Sequence, residues 1–280
     1  MRRVAVIGAG MCGLAISYFL SEFDVSLFDA KGIGGGASGV CGGLVHPRRG
    51  LVEVPAMVCA LEKAWPFFEG HLHSPLVRMA KEGNVEAGDY TEGRIQGPAI
   101  LIERGGALDI PAYLQSLFAK AKCTLICRQI EHLEELADYD AIVIAAGAKI
   151  PHFIDISCEV LYGRALIYDV SPPSHGVLGD VYFAPQGAQL AVGATYEHKI
   201  EKRHLEKLRR CATLMMPELG GRKPCVVQGA RLSGPGRRPF AHKVNARTWA
   251  IGGMGGRGLV YHVAYAEKLA KEIAQCLRKG

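Results

Sequence analysis

Long apolar runs are missing from this sequence of 280 residues. A membrane-spanning helix needs about 18 or more consecutive apolar residues, and no such stretch occurs, so we expect no membrane span. The first apolar run follows Met1-Arg2-Arg3 and ends at Gly8 without a small-residue cleavage site. We therefore interpret it as a buried strand and not as a secretory signal.

Closely spaced cysteines are also missing. The nine cysteines are scattered, and no two of them form a Cys-x-x-Cys pair. Because small disulfide-stabilised folds carry dense cysteine patterns, we expect free thiols and a cytoplasmic protein. His71 and His73 have no evident third or fourth ligand, so no metal site is predicted. The net charge of +6 is compatible with anionic partners but does not by itself indicate nucleic-acid binding.

Glycine, in contrast, is abundant, with 35 residues, and it forms clusters. The first cluster, Gly8-x-Gly10-x-x-Gly13, follows an apolar strand at 4–7 and opens a predicted helix at 11–21. Such glycines allow a tight turn, the approach of a pyrophosphate and close packing of helix on strand, while the helix N-terminus supplies N–H groups to phosphate. Asp29 ends the second predicted strand, where a carboxylate suits a ribose 2′-OH. The motif predicts a dinucleotide-binding unit.

The predicted secondary structure changes in the middle of the chain. Strands are predicted at 123–130 and 140–147, residues 70–93 are interpreted as irregular, and a charged helix is predicted at 197–216. Between 160 and 196, short alternating segments indicate an antiparallel sheet. A protein that binds only NAD would usually continue with strand–helix repeats, so this interruption favours FAD.

These patterns predict an α/β fold, with a Rossmann-like FAD-binding domain and a smaller, interleaved antiparallel-sheet substrate domain. We assign 1–50, 105–158 and 225–280 to the FAD-binding domain. Residues 51–104 and 159–224 are assigned to the substrate domain, which we expect to be reduced in size.

The order of the motifs resembles the FAD-dependent D-amino-acid oxidase superfamily, which includes glycine oxidase, sarcosine oxidase and the D-amino-acid dehydrogenases. The similar segments are the first glycine motif and residues 36–47, 105–111, 142–148 and 252–259. Within the superfamily, the chain resembles the oxidoreductase half of the bifunctional enzymes that make 5-methylaminomethyl-2-thiouridine in tRNA. Residues 37–39, 192–197 and 257–259 carry that likeness, while Val40 departs from the polar residue usual in the flavin loop.

The resemblance implies FAD as the cofactor. It also implies the residues that line it, which are Gly8, Ala9, Gly10, Met11, Cys12, Gly13, Asp29, Ala30, Ala37, Ser38, Gly42, Gly43, Leu44, Ile130, Ala145, Ala146, Gly147, Gly255, Gly256, Arg257, Gly258 and Leu259. Enzymes of this kind move a hydride from the carbon next to an amine nitrogen to flavin N5, and the protein orients and tunes the cofactor. The chain must therefore supply a substrate anchor and a positive field near the flavin.

Arg231 is the candidate anchor, because a guanidinium binds a carboxylate through two parallel hydrogen bonds. A surface or phosphate-facing arginine is the alternative, since Arg237 and Arg238 lie in the same loop. Arg257 and the N-terminus of the helix that begins at Gly258 are expected to supply the positive field.

His46, Tyr196 and Tyr261 complete the candidate catalytic set. His46 lies in the second flavin loop, and the two tyrosines are expected to border the substrate. For each of the three, an ordinary packing role is the alternative.

Three functions are compatible with these features. The first is oxidation of the C–N bond of a small amine or amino acid, and the second is oxidative removal of a carboxymethyl group from a modified tRNA wobble uridine. The third, suggested by the short chain, is an FAD-binding protein without turnover that serves as a binding or regulatory module. The basic run at 197–210 would contact RNA phosphates under the second, or form a solvated helix of mixed charge.

Overall fold

The computed structural model describes residues 1–40, 42–50, 52–80, 87–92 and 95–279. The strands are β1 (Arg3–Ile7), β2 (Asp24–Phe28), β3 (Leu44–Val45), β4 (Arg48–Arg49), β5 (Val52–Glu53), β6 (Leu72–His73), β7 (Leu76–Met79), β8 (Gly88–Glu92), β9 (Ile95–Ile102), β10 (Gly106–Leu108), β11 (Thr124–Ile126), β12 (Ala141–Ile144), β13 (Glu159–Tyr168), β14 (Val177–Leu178), β15 (Tyr182–Gln186), β16 (Gln189–Gly193), β17 (Cys225–Ser233), β18 (Phe240–Lys243) and β19 (Thr248–Gly252). The helices are α1 (Met11–Phe19), α2 (Pro55–Phe68), α3 (Ile110–Ala121), α4 (Ile150–Phe153), α5 (Lys202–Met215) and α6 (Gly258–Lys279).

A six-stranded sheet in the order β11-β2-β1-β12-β19-β18 forms the first layer. Its strands are parallel except β18, which pairs antiparallel with β19. Alternate residues of each strand enter two different cores, so that Val4 and Val6 pack with the helices while Ala5 packs on the opposite face. Strand order reverses between β1 and β12, and in such sheets ligands bind beyond the carboxyl ends of the strands at that point.

An eight-stranded sheet in the order β17-β13-β16-β15-β14-β7-β9-β8 forms the second body of structure. Its pairs are antiparallel except the pairing of β14 with β7, and α5 covers it through the buried Leu208 and Ala212. Strand β17 leads from this sheet to the first, because the Gly234 N–H donates to the Gly253 carbonyl at 3.2 Å. The carboxyl end of β17 therefore lies beside the loop that precedes α6.

A buried histidine ties α6 to its neighbours. His262 Nδ1–H donates to the Gly258 carbonyl at 2.9 Å, and Nε2 accepts from the Tyr113 hydroxyl of α3 at 2.5 Å. The ring also stacks on Phe68 of α2. Burial lowers the pKa of His262 to about 4, so the ring is neutral at pH 7.

Three expectations about local structure are corrected. Residues 70–93 are not irregular, since β6, β7 and β8 lie there; residues 81–86 are outside the described ranges. The strand predicted at 123–130 is limited to Thr124–Ile126, because the Arg128 N–H turns back to the Ile126 carbonyl. The helix predicted at 197–216 begins only at Lys202, because the backbone of Glu197 pairs with Tyr162 instead.

No helix in the described part of the chain is long and apolar enough to cross a lipid bilayer. The α/β fold class, with one mainly parallel and one mainly antiparallel sheet, is confirmed. The division into FAD-binding segments (1–50, 105–158, 225–280) and substrate segments (51–104, 159–224) stays a prediction.

Candidate active site

The glycine turn after β1 requires glycine for steric reasons. Gly8 has a φ of +108°, which disfavours other residues, and a Cβ atom there would lie 2.5 Å from the Ala145 carbonyl oxygen. A Cβ atom on Gly13 would lie only 1.7 Å from the Gly8 carbonyl oxygen. The turn therefore holds α1 tightly against the ends of β1 and β12.

Two polar side chains predicted to contact the cofactor meet at this turn. The Asp29 carboxylate accepts hydrogen bonds from the N–H groups of Ala9 at 2.9 Å and Lys31 at 2.8 Å. Ser38 Oγ accepts from the Met11 N–H at 3.0 Å, at the N-terminus of α1. A helix N-terminus leaves N–H groups without intrahelical partners, and Asp29 stands beside them, so the site fits the pyrophosphate and ribose of a dinucleotide.

Other predicted cofactor residues surround the turn or support it. Ala145 follows β12 and donates its N–H to the Ile7 carbonyl at 2.9 Å, and Gly147 has a φ of +55°. Ile130 is buried in the core on the opposite face of the sheet. Burial raises the pKa of the Cys12 thiol to about 12, so this side chain stays neutral beside the phosphate site.

A cavity of about 320 Å³ lies near the loop that precedes α6. Five predicted site residues line it, namely Leu44, His46, Gly256, Arg257 and Leu259. Arg48, Arg49 and Arg78 also line it, and these three were missed from the sequence. The dipeptide Arg48-Arg49 directly follows His46-Pro47 and was a usable signal, whereas Arg78 lies in the segment interpreted as irregular.

His46 is held in this cavity as a neutral ring. Its Nδ1 accepts a hydrogen bond from the Arg48 N–H at 3.2 Å. Burial lowers the pKa of His46, and the positive charges of Arg78, Arg257 and Arg48 lower it further. The ring therefore adds no positive charge at neutral pH, and with Nδ1 occupied its Nε2–H can donate a hydrogen bond.

Arg231 lies on β17 against the predicted Tyr196. Its guanidinium carbon is 5.1 Å from the centre of the Tyr196 ring, a cation–π distance. A Cβ atom on Gly163 would lie 2.7 Å from the guanidinium, so this close passage requires glycine there. Arg231 Nη1 is buried and has no hydrogen-bond partner among the described residues. An orphaned buried donor of this kind indicates a missing acceptor.

Tyr196 connects Arg231 to the cavity. A Cβ atom on Gly256 would lie 3.0 Å from the Tyr196 hydroxyl, so the tyrosine reaches the loop that lines the cavity. The structure thus brings together Arg231, Tyr196 and residues 255–257. The ring of Tyr261, in contrast, packs edge-on against the ring of Tyr265 on the same helix, with 5.9 Å between the ring centres, and Tyr261 is not among the residues that line the cavity.

A buried ion pair fixes the chain on both sides of Tyr196. The Glu197 carboxylate accepts from Arg164 Nε and Nη2, both at 2.9 Å, and Thr195 Oγ1 accepts from the Arg164 N–H. Burial raises the pKa of Glu197, but hydrogen bonds led by Arg164 outweigh it and hold the pKa at about 2. The mixed charges at 197–210 predict a solvated helix as one alternative, and this is wrong for Glu197, whose side chain is buried and 1% exposed.

The described residues contain no group of three or more histidine, cysteine or carboxylate side chains that could hold a metal ion. The roles of the candidate catalytic and cofactor residues stay predictions.

Comparisons with known proteins give the fold and the family. The solved structures of glycine oxidase from Geobacillus kaustophilus (TM-score 0.77, 18% identity, 98% of this chain and 95% of that chain) and L-proline dehydrogenase from P. horikoshii (TM-score 0.77, 16% identity, 98% and 93%) are similar. At these identities the likeness shows the fold alone.

One curated relative is the tRNA 5-methylaminomethyl-2-thiouridine biosynthesis bifunctional protein of Maricaulis maris, 27% identical over 304 residues. The alignment covers 96% of this chain but 52% of that protein, so the chain spans about half of the relative's length. The family described as FAD dependent oxidoreductase matches residues 3–98 and 86–272, which together include nearly the whole sequence. The chain therefore belongs to this family of FAD-dependent oxidoreductases.

Proposed function

We propose that this protein binds FAD and oxidises the C–N bond of an amine or amino acid. FAD supplies the electron acceptor, taking a hydride at N5 from the carbon next to the amine nitrogen. The glycine turn, Asp29 and Ser38 would hold the ADP half. The cavity where the ring would lie is lined by Leu44, Gly256, Arg257 and Leu259.

The buried, unpaired Nη1 of Arg231 carries the proposal. Leaving a buried charged donor without a partner is costly, and a substrate carboxylate would supply the acceptor. Tyr196 stacks on the guanidinium and limits its movement, and the Glu197–Arg164 pair fixes the backbone on either side of Tyr196. Arg231 would thus orient an amino acid beside residues 255–257.

Two groups beside the cavity would assist the reaction. With Nδ1 occupied by the Arg48 N–H, the neutral His46 ring carries its proton on Nε2, and Nε2–H would donate a hydrogen bond to the lone pair of the unprotonated amine that hydride loss requires. Arg257 and the N-terminus of α6 would place positive charge beside the cavity, which would stabilise negative charge on a reduced flavin bound there. A cytoplasmic location remains our expectation, and the eight described cysteines are free thiols, as a reducing compartment would keep them.

Anaerobic flavin reduction tests the proposal. The FAD-saturated protein would be mixed with a panel of amino acids and N-alkyl glycines. The absorbance at about 450 nm would then be followed. Bleaching by at least one member supports the proposal. Bleaching by none, in protein that holds a full equivalent of FAD, would contradict it and favour a flavoprotein without turnover.

A second candidate is oxidative removal of a carboxymethyl group from a modified tRNA wobble uridine. The relative from Maricaulis maris is named for tRNA modification, and the arginines at 48, 49 and 78 offer charges for phosphates. Bleaching by carboxymethylaminomethyl-modified tRNA, but not by unmodified tRNA or free amino acids, would establish this candidate over the first.

A further inference from the structure

Arginine dominates the polar lining of the 320 Å³ cavity. Four arginines line it, and no aspartate or glutamate is among its lining residues. The nearest recorded carboxylate is that of Glu53, 4.0 Å from Arg48 Nε. In the proposed reaction, Arg257 supplies positive charge beside the flavin and Arg231 binds the substrate carboxylate. Arg48, Arg49 and Arg78 therefore have no partner in that reaction.

These arginines come from separate parts of the fold. Arg48 and Arg49 form β4, which pairs with β5, while Arg78 belongs to the eight-stranded sheet and pairs with Leu178 of β14. Arg78 Nη1 donates to the Gly50 carbonyl, which ties the two regions together. Repulsion among like charges opposes such a cluster. Among the described residues, only Arg48 of the four has an ion pair, with Glu53, so the remaining positive charge provides a site for an anion.

Arg48 gives a second sign of a missing ligand. Its Nε is buried and has no hydrogen-bond partner among the described residues, although the backbone of Arg48 is fixed by His46. Arg49 is exposed at the rim and free to turn toward a ligand. Leu44, Met57, Leu259 and Val260 supply the apolar part of the lining, which suits a ring and not an anion.

We propose that Arg48, Arg49 and Arg78 form a subsite for a phosphate group carried by the amine substrate. This deepens the proposed function and rests on it. A phosphate offers several oxygens to guanidinium groups arriving from different directions, which matches three arginines better than a second carboxylate does. The substrate class is then an amine with a phosphate, either a nucleotide-sized compound or a nucleotide within RNA.

Anion binding to the FAD-saturated protein tests the subsite. Saturation fills the dinucleotide site, so phosphate cannot report on the glycine turn. Calorimetric titrations would use inorganic phosphate, uridine monophosphate, a short RNA hairpin and succinate, with wild type, Arg49→Gln and Arg78→Gln. Arg222→Gln is the control, because Arg222 is exposed and lies outside both the cavity lining and the basic run at 197–210.

We expect the phosphate compounds to bind more tightly than succinate. Arg49→Gln and Arg78→Gln should each weaken phosphate binding about tenfold or more, because each removes a charge-assisted hydrogen bond, and Arg222→Gln should not. Equal affinity for uridine monophosphate and RNA would identify a small substrate, and tight binding of RNA alone would identify the phosphodiester backbone. Phosphate affinity unchanged in both cavity variants, or succinate bound as tightly as phosphate, would overturn the subsite.

The anion-binding test and the flavin-reduction test can fail independently, because anion binding is measured without turnover. Flavin bleaching by a plain amino acid together with no arginine-dependent phosphate binding would remove the subsite alone. Arginine-dependent binding without bleaching by any amine would remove the oxidation and leave a phosphate-binding flavoprotein. Arg49 is exposed, so its variant tests the subsite even if Arg78→Gln folds poorly.

Discussion

The glycine turn and the arginine-lined cavity are built in different ways. The turn is made by backbone and short side chains within the first 38 residues, closed by Ala145 after β12. The cavity is made by long side chains from β4, β7, β14 and the start of α6. A site made of backbone depends on local spacing, whereas a site made of side chains depends on how distant strands are brought together.

Gly13→Ala should give the largest effect at the backbone site. The added Cβ would lie 1.7 Å from the Gly8 carbonyl oxygen, and α1 must move to relieve this clash. We expect FAD affinity to fall roughly a hundredfold or more, equivalent to about 2.7 kcal/mol. The matched control is Gly36→Ala, where a Cβ has no neighbour within 4 Å. FAD content per protein measures both, and equal content would show that the turn is not the cofactor site.

Arg231→Leu should give the next largest effect, at the side-chain site. Removing two charge-assisted hydrogen bonds to a substrate carboxylate should weaken substrate binding about tenfold to a hundredfold. FAD content should stay constant, since the Arg231 guanidinium packs against Tyr196 and Gly163. Arg238 is exposed in the loop that follows β17, and Arg238→Leu serves as the control. The anchor role is wrong if the Michaelis constant responds equally to both variants.

Glu197→Gln should weaken the support of Tyr196. The change leaves the buried Arg164 without its counter-charge, which we expect to lower the free energy of unfolding by about 2–3 kcal/mol. Because the pKa of Glu197 is depressed to about 2, its contribution is present above about pH 4.5 and is lost as pH falls toward 2. Urea unfolding at neutral pH and near pH 3 checks this.

The control for that change is Glu206→Gln, whose ion pair with Lys202 is exposed. Exposed pairs contribute little, so this variant should unfold almost as wild type does. A loss as small for Glu197→Gln as for Glu206→Gln would mean that the buried pair adds no stability.

His262→Gln should give the smallest effect, which is a change in how the free energy of unfolding depends on pH. Burial lowers the pKa of His262 to about 4, so the unfolded chain binds a proton between about pH 6.5 and 4 that the folded chain excludes. Stability of the wild type should therefore fall by roughly 1 kcal/mol from pH 7.5 to pH 5.5. The variant should lose this slope, and an unchanged slope would assign the proton uptake to another group.

Features that depend on local spacing follow from the sequence, although the cofactor roles of their residues stay predictions. The glycine turn, Asp29 and the start of α6 at Gly258 could be predicted because each depends on neighbours in the chain. Arg78 could not, because only the pairing of β7 with β14 brings it to the cavity. Glu197 was misread for a related reason, since its partner Arg164 is 33 positions away and a mixed run of charges is typical of a solvated helix.

Hydride transfer from carbon is the central claim, and one kinetic comparison tests it most directly. The FAD-saturated protein would be reduced anaerobically by the best amine of the panel, in ordinary form and with deuterium on the carbon next to nitrogen. We predict that both forms of the amine bleach the flavin completely and that the deuterated form does so more slowly, because that C–H bond breaks as the flavin is reduced. Bleaching at the same rate with both forms, or no bleaching with any amine, would contradict it.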